Sequence, residues 1–328
     1  VFTDAISTHS HTVPAIRAMA YRPTVARGTL DAVQDVALPA LLRQADITTS
    51  WYSAQSRFGP YSGPVSALAS AADRVQFLES PSRWVHWRAP FDQHADLGVI
   101  RAIVSDMKKA PPTGQSRLIV GHHHVSHFPY CANMPVGDDI PIPGMRMGPA
   151  YFGDSSDLTD EVDCYDRSIR LTDDMLATVL EAADASQRPT VVIFAPDHGE
   201  APDEGTAHQS DRHSARHIEI PLIMAFNQPA SALLARHEAA LREHATRAMT
   251  NAWLFEVIVD LFGLEIDGIE FRAAPASAQD YRPPPRVAFE GQFSLRYDER
   301  VASDRKDTIG RTRINLRHAA SLDRRPST

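Results

Sequence analysis

The apolar positions along the chain form two kinds of pattern, short continuous runs and longer stretches with helical spacing. The runs at 117–121 and 190–195 have the length and residue types of buried strands. The segments 96–109, 169–183 and 252–262 repeat apolar residues at helical spacing. Strands that alternate with helices predict an α/β fold with a parallel sheet. We therefore expect 190–195 to be a central parallel strand.

Two regions interrupt this alternation. Gly, Pro and Asp are frequent across 132–162, which favours a long functional loop or lid over packed scaffold. From about residue 272 onward the chain has clustered prolines, a possible strand pair near 287–297 and a basic, polar end that we expect to be mobile. The chain is accordingly divided into a main domain, 1–271, and a C-terminal extension, 272–328.

Charge and composition exclude several classes of function. The net charge is −8, and no dense basic stripe lies outside the C-terminal tail, so binding to nucleic acid is not expected. No run of about 18 apolar residues occurs, so the chain is expected to be soluble as given. It begins with Val1 and shows no signal-peptide pattern, which suggests a processed or partial product. Cys131 and Cys164 form either one disulfide or two buried thiols, and their spacing does not decide between them.

The best candidate for a catalytic or metal-binding site is the end of the predicted strand 190–195 (TVVIFA). Asp197, His198 and Gly199 follow this strand closely. Ligands and catalytic groups of α/β proteins gather beyond the carboxyl ends of parallel strands. A carboxylate beside an imidazole suits a divalent ion such as Zn²⁺. The alternative is an aspartate that caps a helix beside an uninvolved histidine.

Histidines also follow the other strand. Four of them lie within six positions, a density that favours a function over incidental surface placement: His122, His123, His124 and His127. A third group follows Asp197 and His198 along the chain. In this group His208 is the functional candidate, whereas His213 and His217, four positions apart, are predicted to be solvated on one helix face. Asp203 and Glu204 are predicted to be surface charges.

The segment STHSHTVPAI at 7–16 supplies hydroxyl groups ahead of a helix that starts near Pro14. Threonine and serine hydroxyls are weak nucleophiles unless a base or a metal lowers their pKa. Thr12 lies nearest to the helix start, where unpaired amide groups bind phosphate oxygens. On chemistry alone, Ser7, Thr8 and Ser10 remain alternatives.

The sequence resembles the phosphoethanolamine transferases of the alkaline phosphatase and sulfatase superfamily. The resemblance rests on four features in this order: Thr12, His127, residues 197–200 (DHGE) and His208. The likeness spans roughly residues 1–270. HTVPAIRAM matches the family's nucleophile segment and selects Thr12, while APDHGE matches its metal motif with Pro196 in place of serine. HHHVSHFP, YDRSIRLTDDML and EIPLIMAF match further segments in the family's order.

The resemblance implies a three-layer α/β/α sandwich, alkaline-phosphatase-like, with a mostly parallel sheet. It also implies one or two zinc ions held by Thr12, Asp197 and His198. Thr12 would take a phosphoethanolamine group from phosphatidylethanolamine, releasing diacylglycerol, and pass it to a lipopolysaccharide acceptor. The residues expected to bind the substrate are His122, His127 and His208. The family acts at the periplasmic face of the inner membrane.

The sequence departs from the family at its start. The family's first metal ligand, a glutamate on a strand upstream of the threonine, would precede Val1, as would the membrane-embedded helices. We therefore expect a catalytic domain without its first strand. Asp4 is a poor replacement for the missing glutamate, since it lies in the strand leading to Thr12 and not at a strand's end. Two alternatives remain: a sulfatase-like phosphoester hydrolase that uses water as acceptor, and a non-catalytic module that binds zinc or glycolipid.

Overall fold

The computed structural model describes residues 1–21, 25–26, 29–30, 37–58, 62–78, 95–110, 114–133, 161–204, 214–265, 276–283, 286–290 and 293–298. Most of the predicted lid, His208, His213 and the predicted mobile end lie outside these ranges. Within them, the structure contains helices and strands in alternation, as the apolar pattern predicts.

The helices of the described ranges are α1 (Thr12–Ala20), α2 (Leu38–Gln44), α3 (Gly63–Ala69), α4 (Ala95–Lys108), α5 (Tyr130–Asn133), α6 (Glu161–Asp184), α7 (Gln228–Leu233), α8 (Ala235–Glu243) and α9 (Leu254–Leu261). The strands are β1 (Ala5–Ile6), β2 (Val25–Ala26), β3 (Thr29–Leu30), β4 (Thr48–Ser53), β5 (Arg74–Phe77), β6 (Arg117–His122), β7 (Val191–Phe194), β8 (Ile223–Phe226), β9 (Met249–Thr250), β10 (Val287–Glu290) and β11 (Phe293–Arg296).

The main strands form three pieces of sheet. In the first, β4 lies between β5 and β6 and is parallel to both, with Thr48 opposite Arg117 and Ser53 opposite His122. In the second, β7 pairs with β8, and in the third β1 pairs in parallel with β9. Two isolated antiparallel bridges, Phe2 with Leu222 and Ile6 with Glu219, join the β1 segment to the chain before β8.

Side chains that alternate along the strands contact helices on opposite faces, which gives three layers. In β4, Trp51 packs into a core with α1 and α3, whereas Tyr52 packs into a core with α4. Strand β6 alternates in the same way, with Val120 in the first core and Ile119 in the second. Helices therefore cover both faces of a largely parallel sheet, the arrangement that parallel strands require. The fold is therefore a three-layer α/β/α sandwich, as the resemblance implies.

The expectation that 190–195 pairs in parallel is wrong for its described partner, because β7 and β8 are antiparallel. A parallel crossover needs a dozen or more residues and usually a helix. In the described parts of the connection from 195 to 222 only short 3₁₀ turns occur.

Proline and glycine mark several helix ends, Pro14 among them as predicted. Pro14 lies in the first turn of α1 and Pro39 in the first turn of α2, where a missing amide hydrogen costs nothing. Gly263 has a φ of +66° just after α9, the left-handed conformation that ends helices. The stretch 230–250, rich in Ala, Leu and Arg, is divided between α7 and α8, and its last residues form β9.

The described part of the C-terminal extension packs against the main domain. Ala276 and Tyr281 belong to the core that contains Leu222 and Met249. The buried Arg286 binds both Asp4 and Asp298, at 2.7 and 2.6 Å. The predicted strand pair is confirmed as the antiparallel hairpin of β10 and β11.

A disulfide joins Cys131 in α5 to Cys164 in α6, which decides the question that the spacing left open. No helix in the described ranges has the length and apolar character needed to cross a membrane.

Candidate active site

The candidate nucleophile Thr12 is the first residue of α1. Strand β1 leads into residues 7–11, and His11 precedes the helix in an extended conformation. The first amide groups of any helix have no partner within it, so they are free to serve an external acceptor. Thr12 is thereby placed at a helix end that attracts negative charge.

Asp197 and His198 follow β7 and meet Thr12, although they are separated from it by about 185 positions of sequence. The Oγ1 atom of Thr12 lies 3.3 Å from Nε2 of His198. The Thr12 hydroxyl also hydrogen-bonds the Asp197 carboxylate, and Oδ2 of that carboxylate is 3.6 Å from Nε2 of His198. The structure thus brings the three predicted metal residues into one cluster.

The orientation of the His198 ring follows from its other nitrogen. Nδ1 lies 2.9 Å from the carbonyl oxygen of Gly199, which only accepts hydrogen bonds, so Nδ1 carries the hydrogen. In the neutral ring, Nε2 then presents its lone pair toward Thr12. A histidine fixed in this way by a backbone carbonyl is typical of metal ligands.

The electrostatics of the cluster keep Asp197 ionised. Burial raises the pKa of this carboxyl, but His198, the hydrogen bond from Thr12, and the nearby His122 and His127 together hold the pKa below its usual value. A negative charge is therefore maintained beside the Thr12 hydroxyl at neutral pH.

The predicted substrate-binding histidines of the first histidine group lie around the same space. Nδ1 of His122 is 2.9 Å from Oγ of Ser53 on the neighbouring strand. Burial lowers the pKa of His122, and the charge of Asp197 opposes this effect. His127 stacks on His124 with ring centroids 4.3 Å apart, and both line the cavity that contains Thr12.

The structure describes only part of the third histidine group, which follows Asp197 and His198 along the chain. His208 lies outside the described residues, so its predicted role stays a prediction. The expectation that His217 is solvated is wrong: it is fully buried in the 3₁₀ turn Ala215–His217, whose His217 carbonyl accepts a hydrogen bond from the amide of Gly199. Asp203 is half exposed and forms an ion pair with Arg216, as a surface charge does.

Asn251 is a buried residue of the site that the sequence did not indicate. Its Nδ2 donates to the carbonyl oxygen of Asp197 at 2.9 Å and to Oγ of Ser7 at 3.1 Å, and its Oδ1 accepts from the amide of Thr8 at 3.3 Å. Ser7 in turn donates to the Asp197 carbonyl. Asn251 therefore ties the segment before Thr12 to the segment that carries Asp197. A lone asparagine after a two-residue strand carries no recognisable sequence pattern.

Tyr130, a second residue outside the cluster, holds the side chain of Glu200. The hydroxyl of Tyr130 donates to Glu200 at 2.8 Å. Burial, together with the charge of Glu200, raises the pKa of Tyr130, so the phenol stays protonated and keeps this bond.

The donor set of the cluster suits zinc in chemical type. It provides a carboxylate oxygen, an imidazole nitrogen with an oriented lone pair and a hydroxyl oxygen, and catalytic zinc sites use three protein donors. Within the described residues no group of three or more His, Cys, Asp or Glu side chains is arranged to hold a metal. The cluster contains two side chains of these types, Asp197 and His198. Thr12 holds the first through a hydrogen bond, and the Gly199 carbonyl holds the second.

Comparison with known proteins agrees with this fold, which is alkaline-phosphatase-like. The family model named Sulfatase matches residues 1–264. The structure is similar to the C-terminal periplasmic domain of EptC from Escherichia coli in complex with Zn, with a TM-score of 0.70 and 15% identity over 91% of this chain and 81% of that one. It is also similar to the soluble domain of lipooligosaccharide phosphoethanolamine transferase A from Neisseria meningitidis, with a TM-score of 0.60 and 14% identity over 86% and 82% of the two chains.

A third similar structure is the integral membrane protein EptA from Neisseria meningitidis, with a TM-score of 0.54 and 15% identity. The match covers 86% of this chain and 49% of that protein. No curated protein matches the sequence. Because the Sulfatase match spans most of the sequence, the chain belongs to the sulfatase family.

Proposed function

We propose that this protein is a metal-dependent phosphoethanolamine transferase. The observation that carries the proposal is the contact of the Thr12 hydroxyl with both Asp197 and His198 at the first turn of α1. The fold it shares with phosphoethanolamine transferase domains supports the choice of reaction within the sulfatase family.

Thr12, Asp197 and His198 would hold the zinc. When bound, zinc lowers the pKa of a coordinated hydroxyl group and offsets the negative charge of phosphate oxygens. Asp197 contributes a permanent negative charge, and the carbonyl of Gly199 keeps the His198 ring in the required tautomer.

In the first transfer, the Thr12 oxygen bonds to the phosphorus of phosphatidylethanolamine as the bond to diacylglycerol breaks. The proton lost by Thr12 ends on the departing diacylglycerol oxygen. In the second transfer, an acceptor oxygen of lipopolysaccharide takes the phosphoethanolamine group, and its proton returns to Thr12. The covalent intermediate is therefore a phosphodiester on Thr12.

The surrounding groups stabilise charge on the moving phosphate. The unpaired amide groups of the first turn of α1 can donate to phosphate oxygens. We assign His122, His127 and, from the sequence resemblance, His208 to binding the phosphate and assisting proton transfer. Preorganised donors of this kind supply much of the rate in phosphoryl transfer.

The similar proteins also indicate where the reaction takes place. The similar proteins are described as periplasmic domains and as an integral membrane protein. We propose that this domain works at the periplasmic face of the inner membrane, where its lipid donor and glycolipid acceptor meet, held there by an anchor outside the present chain.

The experiment supplies vesicles containing phosphatidylethanolamine to the zinc-loaded enzyme, with and without lipopolysaccharide. We expect diacylglycerol release to be stoichiometric without acceptor and catalytic with it, and to be lost when a chelator removes the zinc. A second candidate, hydrolysis, is kept because the family is named for ester hydrolysis. Continuous release of free phosphoethanolamine without acceptor would favour it and contradict the transferase.

A further inference from the structure

A disulfide and an aromatic contact join α5 to α6 at neighbouring residues. The disulfide links Cys131 to Cys164. The residues beside these cysteines, Tyr130 and Tyr165, meet edge to face with their ring centroids 5.0 Å apart. Tyr130 is therefore held against α6 both by its own ring and by the covalent bond of the next residue.

The short helix α5 depends on α6 for its position. Isolated helices of fewer than about 12 residues are barely stable in water, and α5 has 4 residues. Besides the disulfide, the amide of Tyr130 donates to Oε2 of Glu161 in the first turn of α6, at 3.0 Å. The Tyr130 side chain is fully buried, and the Phe128 ring packs against it at a centroid distance of 5.8 Å. The disulfide and these contacts together fix where the Tyr130 side chain lies.

The hydroxyl of Tyr130 reaches from this anchor to the segment that carries the metal residues. It donates to Oε2 of Glu200 at 2.8 Å, and a hydrogen bond to a carboxylate is stronger than one between neutral groups. Glu200 comes two positions after His198 and lines the cavity that contains Thr12. Tyr130 therefore acts on the site through Glu200.

The peptide group between Gly199 and Glu200 connects this hydrogen bond to the His198 ring. Its oxygen is the Gly199 carbonyl, which lies 2.9 Å from Nδ1 of His198. The atoms of a peptide group lie in one plane, so the carbonyl turns with the residues on either side. On one side, the amide of Gly199 donates to the carbonyl of His217 at 2.8 Å. On the other side, Tyr130 holds Glu200, and loss of this contact would let the plane rotate away from Nδ1.

We propose that Tyr130, anchored by the disulfide, is a positioning residue that keeps the His198 ring in its metal-binding orientation. It acts through Glu200 and the peptide group that carries the Gly199 carbonyl. With these contacts in place, the ring carries its hydrogen on Nδ1 and presents Nε2 to Thr12 and to a metal. This role rests on the proposed function for its zinc site, but it holds whichever ester the site cleaves.

The same arrangement makes the site depend on the redox state of the disulfide. A dithiol would reduce the bond by giving up two electrons and two protons, so that both cysteines become thiols and the dithiol becomes a disulfide. Cys131 is partly exposed and Cys164 is fully buried, so the attacking thiolate meets the Cys131 sulfur. Reduction removes the covalent link of α5 to α6, and the contact between Tyr130 and Glu200 weakens.

Tyr52 offers a matched control for the Tyr130 hydroxyl. It is also buried, and its hydroxyl donates to the Asp106 carboxylate at 2.9 Å. Tyr52 is not among the described residues that line the cavity containing Thr12. Tyr52→Phe and Tyr130→Phe therefore remove the same kind of hydrogen bond, one away from the site and one beside it.

The first test records the ¹⁵N shifts of the His198 ring by NMR in zinc-free protein at mildly alkaline pH. These shifts report which ring nitrogen carries the hydrogen. We expect the hydrogen on Nδ1 in the unchanged protein and in Tyr52→Phe, and a mixture of both tautomers in Tyr130→Phe. Identical shifts in the two variants would overturn the proposal.

The second test measures zinc affinity by competition with a chelator that changes colour when it loses zinc. We expect Tyr130→Phe to bind zinc about tenfold more weakly than the unchanged protein, and Tyr52→Phe to bind it equally well. Urea unfolding of both variants checks that they lose similar stability, so that a general loss of stability does not explain the difference. Equal zinc affinities of the two variants would contradict the positioning role.

Variants of Glu200 test the route of this effect. Glu200→Ala removes the acceptor, so it should reproduce the NMR shifts of Tyr130→Phe, and combining the two changes should add nothing further. Glu200→Gln keeps an oxygen that accepts from the Tyr130 hydroxyl, so it should retain the hydrogen on Nδ1. Additive effects of Glu200→Ala and Tyr130→Phe would mean that Tyr130 does not act through Glu200, and would overturn the proposal.

Treatment of the unchanged protein with dithiothreitol tests the role of the disulfide. We expect the reduced protein, shown to be folded by its amide spectrum, to give the His198 shifts of Tyr130→Phe and a similar loss of zinc affinity. A folded, reduced protein with the original shifts would contradict the anchoring role of the disulfide. If all these results are as expected but the unchanged protein transfers no phosphoethanolamine, the positioning role is supported and only the proposed function fails.

Discussion

Among single residues, Asn251 connects the segment before Thr12 to the segment that carries Asp197. It is fully buried and binds the backbone of Thr8 and of Asp197 as well as the Ser7 hydroxyl. Asn251→Ala would remove the acceptor of the Thr8 amide, at a cost of about 1–3 kcal/mol, and would leave Ser7 as the remaining side-chain donor to the Asp197 carbonyl. We expect a lower free energy of unfolding and a reduced kcat at temperatures where the variant is folded.

Asn227 offers a matched control for this prediction. It is also buried, donates to the carbonyl groups of Ala183 and Arg188 at 2.9 Å, and lies outside the cavity that contains Thr12. Asn227→Ala should lose comparable stability in urea unfolding and retain kcat. Equal kcat values for the two variants would show that Asn251 has no positioning role.

Buried histidines predict how stability depends on pH. Burial, and then the nearby His11, lower the pKa of His9 to about 4, and burial together with His122 does the same for His123. Below pH 6.5 the unfolded chain takes up protons that the folded protein excludes. Stability is therefore lost as the pH falls from 6.5 toward 4, by about 1.4 kcal/mol per pH unit for each such histidine.

Urea unfolding at a series of pH values between 7 and 4 measures this loss. The variant His9→Gln removes one of the titrating groups, so its unfolding free energy should fall less steeply over the same range. A slope identical to that of the unchanged protein would contradict the assignment of a low pKa to His9.

At the scale of secondary-structure elements, the site depends on how closely the loop after β7 approaches the 3₁₀ turn Ala215–His217. The amide of Gly199 donates to the carbonyl of His217 at 2.8 Å. A Cβ atom on Gly199 would lie 2.0 Å from the carbonyl oxygen of Arg216 and 2.8 Å from that of Glu219. These atoms are backbone, so the two segments would have to separate.

Gly199→Ala is therefore expected to destabilise the fold by about 1–3 kcal/mol and to displace His198. Gly63→Ala is the matched control, since a Cβ there would meet no atom within 4 Å at the start of α3. Thermal unfolding compares the stability of the two variants, and zinc titration compares their metal binding. A Gly199→Ala variant as stable and as zinc-competent as Gly63→Ala would contradict this packing.

Element types were more predictable from the sequence than element partners. Apolar periodicity located α4, α6, β6 and β7, because burial on one face or on both leaves a local trace in the sequence. The antiparallel pairing of β7 with β8 and the burial of His217 depend on how the intervening loop folds, which periodicity does not record. Asn251 escaped prediction for the same reason, since its partners are distant in sequence.

At the scale of the whole molecule, the disulfide between Cys131 and Cys164 restrains the position of α5 against α6. The two cysteines are separated by 33 positions. Closing a loop of this length removes conformational freedom from the unfolded chain, which corresponds to about 2–4 kcal/mol of stability. We expect the double variant Cys131→Ala, Cys164→Ala to unfold at lower urea concentration.

Adding a reductant to the unchanged protein is the comparison for that measurement, and it should lower the urea midpoint to a similar value. An unchanged midpoint in both experiments would mean that the bond adds nothing to the stability of the domain.

The sequence resemblance selected Thr12, Asp197 and His198, and the structure places them in contact although about 185 positions of sequence separate Thr12 from the other two. What local pattern could not provide was the environment of this cluster: the ring orientation of His198 set by Gly199, and the connection through Asn251. These arise from contacts between segments that meet only in the folded molecule.

The central claim is that the Thr12 oxygen is the nucleophile, and mass spectrometry of the enzyme quenched shortly after mixing with phosphatidylethanolamine tests it most directly. We predict one phosphoethanolamine group per chain, mapped to the peptide that contains Thr12, retained in Ser10→Ala and absent from Thr12→Val. A group mapped to another residue, or continued lipid turnover by folded Thr12→Val, would contradict the account.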